Sequence, residues 1–236
     1  DFKIILKIIT FILFFYWSAL YIWEPNNPYA LDSNLVRAID IFLLGDSHLY
    51  KGFGIPFDPE GLFSTIPSIA TVLIGYLLGG MLHTTKSYND CIKRMSILGI
   101  FLICIGLLWG LFFPINKAIW TSSYVLYTSG ICALALSILT YLIDIKGYKK
   151  HFKPFEIFGT NSIFLFLISG LWTKIIINIK LNLDGKLVSS YHYLYKTIFF
   201  PLAGEYNGSL LFAISHLIVF WFILYWMDQK KIRIKL

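Results

Sequence analysis

Runs of about 20 apolar residues, each long enough to cross the hydrocarbon core of a bilayer as a helix, recur along this chain and constrain it more than any motif. Six are read, at 4–23, 64–82, 95–113, 122–143, 158–177 and 209–227. They do not alternate as barrel strands do; FLICIGLLWGLFF at 101–113 is continuous. In lipid a helix satisfies its own backbone groups. The expected fold is therefore all-α, a polytopic transmembrane helical bundle of about six spans forming one domain over 1–236. Composition agrees: 57% of the 236 residues are hydrophobic and 14% charged, against about 25% charged in a soluble domain. Aromatic residues at span ends (Trp17, Tyr21, Trp23, Tyr225, Trp226) suit an interfacial belt. The bilayer is the first expected partner.

Charge sets the expected direction. Lys3 and Lys7, then Lys86, Lys93 and Arg94, then Lys146, Lys149, Lys150 and Lys153, then Lys230, Lys231, Arg233 and Lys235 all fall at one side of the six spans. Lysine and arginine collect on the cytoplasmic face, so both termini are expected there. Basic residues flank apolar runs and form no groove with interleaved aromatics, so the net charge of +7 does not point to nucleic acid. Cys91, Cys104 and Cys132 make no CxxC pair or disulfide framework, and no metal set is expected. Cys104 and Cys132, inside apolar runs, are expected as small buried residues. The chain opens Asp1-Phe2-Lys3 with neither methionine nor a signal-peptide shape and is expected to be a piece of a longer protein. High lysine, isoleucine and asparagine usage suggests a bacterial inner membrane.

On the other side three connections are expected. The first, 24–63, holds an amphipathic helix near 33–44, capped by Asp32 or Ser33, with Leu35, Ile39, Phe42 and Leu43 sharing a face. The second, 114–121, is tight. The third, 178–208, carries Tyr191, His192 and Tyr193.

Polar residues near these connections are candidates for chemistry, each with a plain structural role as the alternative. Asp58 and Glu60 precede the second span, where a helix N-terminus favours carboxylates; Asp58 or Ser64 can equally be a cap. Asn116, Lys117, Trp120 and Ser122 surround the short turn. Lys117 can neutralise an anion, and Asn116 and Ser122 can donate hydrogen bonds; a snorkelling lysine is the alternative. Asn161 and Ser162 open the fifth span, as ligands or as interhelical glue. His48 can act as a base, oriented by Asp46. His216 lies within the last span, where an ionisable group is a functional candidate.

LLGDSHLY (43–50), DPEGLFSTIPSI (58–69), PINKAIWTSSYV (114–125), DIKGYKK (144–150), FGTNSI (158–163) and KKIRIKL (230–236) occur in this order. The set resembles the heparan-α-glucosaminide N-acetyltransferase family and its bacterial relatives. The resemblance implies a membrane acyltransferase that moves an acetyl group from cytosolic acetyl-CoA to a glucosamine amine across the membrane. A second copy of the chain is a further candidate partner. The resemblance implies substrate contacts from His48, Asp58, Glu60, Asn116, Lys117, Trp120, Ser122, Asn161 and Ser162. Lys86, Lys93 and Arg94 are candidates for the phosphates of acetyl-CoA, with ordinary charge bias as their alternative. The family's principal base, a histidine, is expected upstream of residue 1. Ser169 stands where the animal enzyme carries a histidine. A transporter or flippase for a cell-envelope sugar or lipid is the competing class, although no inverted repeat supports it.

Overall fold

The computed structural model describes residues 2–85 and 87–234. They are helical apart from turns and one short hairpin. Five helical segments are long and apolar enough to cross a membrane: Phe2–Trp23, Thr65–Thr84, Tyr88–Gly110, Ser122–Ile145 and Ser190–Gln229. The helices Lys149–Thr160 and Ser162–Asn178 qualify together as a sixth, bent by 70°. The chain divides into two compact units, Asp1–Gly147 and Tyr148–Leu236.

In the first unit α1 (Phe2–Trp23), α3 (Thr65–Thr84), α4 (Tyr88–Gly110) and α5 (Ser122–Thr140) are the long helices. Apolar faces alone give little drive to associate in lipid, so close approach through small residues matters. The α4–α5 crossing shows this. A Cβ on Gly99 would lie 2.9 Å from the Gly130 carbonyl oxygen, and one on Gly106 would lie 2.7 Å from the Tyr127 nitrogen. Ile9, Leu13, Ile74, Met95, Val125 and Ala133 form one buried layer. Tyr16, Leu20, Val36, Phe57, Phe113 and Ile119 form a second, toward the C-terminal end of α1.

α4 begins at Tyr88 rather than near residue 95. Its polar first turns, including Asp90, Lys93 and Arg94, are invisible to hydropathy yet are good helix. It ends before 113 because the amides of Phe112 and Phe113 turn back onto the Trp109 carbonyl. Two further expectations need correction. Cys104 and Cys132 are exposed, on faces available to lipid, whereas Cys91 is buried. The short helix α2 (Leu35–Leu44) is capped by Asn34, whose Oδ1 accepts from the Arg37 amide. It buries Val36 and Asp40 and leaves Phe42 86% exposed. The packed face differs from the apolar one because Asp40, polar in sequence, turns inward and its Oδ1 accepts from the amides ahead of the next helix.

The second unit contains α6 (Lys149–Thr160), α7 (Ser162–Asn178), a hairpin of β1 (Lys180–Leu183) and β2 (Lys186–Ser189), α8 (Ser190–Leu194) and α9 (Phe200–Gln229). The strands pair antiparallel from Lys180↔Ser189 to Leu183↔Lys186. Asp184 and Gly185 turn the hairpin with φ of 51° and 82°, as an Asp-Gly hairpin turn requires. That dipeptide between apolar alternations was the available signal for a hairpin within 178–208. α9 is broken at Gly204 (φ 75°, ψ −167°).

Candidate functional site

The first unit gathers most of the sequence candidates around the C-terminal end of α1 and the start of α3. The decisive group is one the motifs did not single out. Asp40 on α2 is fully buried. Its Oδ1 accepts from the amides of Leu62 (2.9 Å) and Phe63 (3.3 Å), just ahead of α3. These are among the orphan amides that a helix start must satisfy. The cap therefore arrives from about 22 residues away in sequence. Oδ2 is buried and has no hydrogen-bond partner among the described residues. Burial raises the Asp40 carboxyl above the ordinary carboxylate range; the two amide bonds oppose the rise, and nearby Asp58 adds to it.

The DPEG segment makes this fit possible. Asp58 Oδ1 accepts from the Glu60 amide at 2.9 Å, holding the turn locally. Neither Asp58 nor Ser64 caps α3 through its side chain; Ser64 Oγ donates to the Gly61 carbonyl at 2.8 Å. A Cβ at Gly61 would stand 1.8 Å from Asp40 Oδ2, so glycine is demanded by close approach. Glu60 is exposed and Asp58 half-buried.

The 114–121 turn is a knot of bonds to backbone. Asn116 Oδ1 accepts from the Ala118 amide at 2.8 Å, and the Asn116 amide donates to Thr121 Oγ1 at 3.0 Å. Ser122 Oγ donates to the Leu13 carbonyl at 2.7 Å, and Tyr16 Oη donates to the Ile119 carbonyl. Trp120, with φ of 48°, donates its indole N–H to Thr71 Oγ1 at 3.2 Å. The turn thus ties α1, α3 and α5 together. Asn116 and Ser122 spend groups on this scaffold. Lys117 is exposed and makes no hydrogen bond or ion pair among the described residues.

A strap from Asp46 to Asp58 lies over α2. Arg37 holds it, donating from Nε to the Pro56 carbonyl (2.8 Å) and from Nη1 to the Asp32 carbonyl (2.9 Å). His48 sits on this strap, exposed, with Nδ1 3.2 Å from Ser47 Oγ. Ser47 rather than Asp46 is its hydrogen-bond neighbour. Beside the strap Tyr29 Oη accepts from Trp17 Nε1 (3.2 Å) and donates to the Phe112 carbonyl (3.2 Å). Burial raises its phenol above the ordinary value, partly offset by the Trp17 bond. Trp17, Ser18, Tyr21, Tyr29 and Phe112 line an adjacent groove of about 470 Å³.

The remaining candidates are built by other segments of the chain. Lys93 and Arg94 are exposed near the N-terminal end of α4, whereas the 114–121 turn follows its C-terminal end. At a rise of about 1.5 Å per residue, most of a span lies between them. Lys86 falls outside the described residues. Asn161 and Ser162 belong to the second unit, at the α6–α7 break. Asn161 is buried; its Nδ2 donates to the Ile232 carbonyl (3.1 Å) and its Oδ1 accepts from the Ile234 amide (2.9 Å). It clips the C-terminal tail. Ser162 is exposed at the start of α7. Motifs do not point to Asp40, Arg37, Tyr16 or Tyr29; the visible sign of Asp40 is a pair of opposite charges, Arg37 and Asp40, in a ten-residue helix whose other residues are apolar.

No protein-family model matches the chain. It is 32% identical over 145 residues to the mouse (Mus musculus) protein named heparan-alpha-glucosaminide N-acetyltransferase, across 55% of this chain and 22% of that protein. It is 32% identical over 144 residues to the human (Homo sapiens) protein of the same name, with the same shares of 55% and 22%. The matched region thus spans about a fifth of the length of these curated relatives. With five helical segments among the described residues long and apolar enough to cross a membrane, and a sixth if the bent pair is one span, the chain is a multi-pass membrane protein that is similar over 55% of its length to proteins named heparan-alpha-glucosaminide N-acetyltransferase.

Proposed function

We propose that this chain forms part of a membrane N-acetyltransferase that uses acetyl-CoA as co-substrate and the amine of a glucosamine-type sugar as acceptor. The observation that carries the proposal is the 32% identity to two proteins named for that activity. In this reaction the amine nitrogen attacks the thioester carbonyl. The C–N bond forms, the C–S bond breaks, the amine loses a proton to a base, and CoA leaves as the thiol or thiolate. The principal base is proposed to be a histidine N-terminal to Asp1. His48, Asp58, Glu60, Lys117 and Trp120 are proposed for the acceptor side.

The 114–121 turn and the DPEG turn are proposed to face away from the cytosol, with Lys93 and Arg94 on the cytosolic side, in keeping with the bias of basic residues to that face. Lys117, an exposed cation in a turn tied to three helices, is suited to the developing negative charge or to an anionic group on the acceptor glycan. His48, Asp58, Glu60 and Trp120 would contribute polar and stacking surface for the sugar. Asn116 and Ser122 are proposed to act chiefly by holding that turn, and Asn161 and Ser162 by fixing the start of α7. Lys93 and Arg94 offer adjacent charges for CoA phosphates. A bacterial inner membrane is the proposed location.

The test is transfer of labelled acetyl from acetyl-CoA to a glucosamine-terminated acceptor by the full-length protein in proteoliposomes. N-acetylated sugar supports the proposal. Acceptor crossing the bilayer without acetylation overturns it in favour of a transporter. For topology, a membrane-impermeant thiol reagent should label Lys117→Cys but not Lys93→Cys from outside intact cells. The reverse pattern overturns the orientation.

A further inference from the structure

α2 (Leu35–Leu44) lies outside every candidate span among the described residues, and its polarity is the reverse of that expected beside water. Val36 and Asp40 mark its packed side. At about 100° per residue, the opposite side carries Leu35, Ala38, Ile41 and Phe42, all apolar, and Phe42 is 86% exposed. The helix has two charged side chains, and backbone groups of the first unit bind both. Arg37 donates to the Pro56 and Asp32 carbonyls, and Asp40 accepts from the Leu62 and Phe63 amides. A surface helix in water buries its apolar stripe and turns its charges outward. In α2 the carboxylate is buried and the outward side is apolar, so that side calls for an apolar partner.

The position of α2 identifies that partner. Val36 is buried in the same layer as Tyr16 and Leu20 of α1. Leu35 lines a groove of about 390 Å³ with Phe15, Ser18, Ala19, Ile22 and Trp23 of that helix. Trp23 Nε1 donates to the Ser33 carbonyl at 3.2 Å, tying the approach to α2 to the end of α1. Phe15 is eight residues before Trp23, about 12 Å along the helix. α2 therefore starts beside the final turns of α1 rather than beyond its end. α1 is long and apolar enough to cross a membrane, and Phe11, Phe15 and Ile22 on it are exposed. Through the groove, the outward side of α2 continues this surface of a span. A helix lying in the interface sinks its apolar side about 5–10 Å into the boundary between headgroups and acyl chains, and the depth of Leu35 agrees.

We propose that α2 is seated in the bilayer leaflet around the C-terminal end of α1, with Leu35, Ala38, Ile41 and Phe42 against phospholipid acyl chains. Lipid then favours the rotation of α2 in which Asp40 meets the amides ahead of α3, because the opposite rotation places a carboxylate in hydrocarbon. The seating is independent of the acetyl-transfer assignment and of which membrane face is cytosolic.

The test places a nitroxide spin label at Phe42→Cys, and separately at Ala38→Cys, in the full-length protein in phospholipid nanodiscs, with the exposed thiols Cys104 and Cys132 replaced by alanine. Collisions with oxygen, which concentrates in hydrocarbon, are compared with collisions with a water-soluble nickel chelate. Phe11→Cys, on the exposed surface of α1, and Lys51→Cys, exposed on the strap, are the references. The oxygen-to-nickel ratio at positions 42 and 38 should match that at position 11 and exceed that at position 51. A ratio no higher than at position 51 overturns the proposal, since α2 then faces water. An immobilised label that neither reagent reaches also overturns it, because another protein segment or a second copy then covers the face. Should the cysteine variants not fold, the natural protein decides. A phospholipid with a diazirine on its acyl chain should leave photo-adducts on Ala38–Phe42 as well as on α1. Adducts on α1 with none on α2 overturn the proposal.

Discussion

Asp40 Oδ2 occupies the space where a side chain on Gly61 would begin, 1.8 Å from an ideal Cβ. The same carboxylate binds the amides of Leu62 and Phe63 through Oδ1. One glycine and one acid thus hold the strap, α2 and the start of α3 in a single arrangement.

Gly61→Ala should destabilise the protein by about 2 kcal/mol or more, because the methyl group displaces a buried hydrogen-bonded carboxylate. Gly79→Ala, where a Cβ meets nothing within 4 Å, should be neutral or stabilising by up to about 1 kcal/mol. Thermal unfolding of both variants in detergent measures the contrast.

The Asp40 carboxyl titrates above its unfolded value because burial disfavours its charge. The folded state therefore holds the proton to higher pH than the unfolded state. Linkage gives this group a contribution that is most favourable below the unfolded pKa and is lost as pH rises through the folded one. Asp40→Asn should flatten that part of the stability–pH curve from about pH 4 upward. Unfolding midpoints of both proteins across this range provide the check.

Ser122→Ala removes a buried bond to the Leu13 carbonyl and should cost about 1–2 kcal/mol of stability. Lys117→Ala, at an exposed side chain, should change stability by less than about 0.5 kcal/mol. On the proposed function it should nonetheless lower acetyl transfer. Unfolding and transfer assays on the same preparations separate the two roles.

Asn161→Ala deletes both contacts that hold the tail at Ile232 and Ile234. Faster amide hydrogen exchange at Ile234 is expected, with little change in the β1–β2 hairpin. Unchanged exchange would show that the tail is held by other contacts.

The motifs DPEG and PINKAIWTSS were legible in the sequence as candidate segments. Both fall in the first unit, and each turn is held by hydrogen bonds to backbone. What the motifs did not reveal is how their polar groups are spent. Asn116 and Ser122 read as substrate donors, yet their visible bonds go to the Ala118 amide and the Leu13 carbonyl. Such partners lie on backbone, which carries no residue-specific trace in the sequence. Asn161 was legible as a polar residue needing a partner, but the partner is the tail some 71 residues on.

Sequence by itself determined that this is a bundle of membrane-spanning helices, because hydropathy over 20 residues is a local property that any partner helix leaves unchanged. It also determined the order of the family motifs. Only the tertiary structure decided that Asp40 rather than Asp58 satisfies the start of α3, that the helical run from α6 to α7 breaks at Asn161, and that Asn161 clips the C-terminal tail. Those outcomes depend on which buried donors and acceptors meet through space, and hydrogen-bond satisfaction in a low-dielectric interior is a pairwise condition that one strand of sequence cannot state.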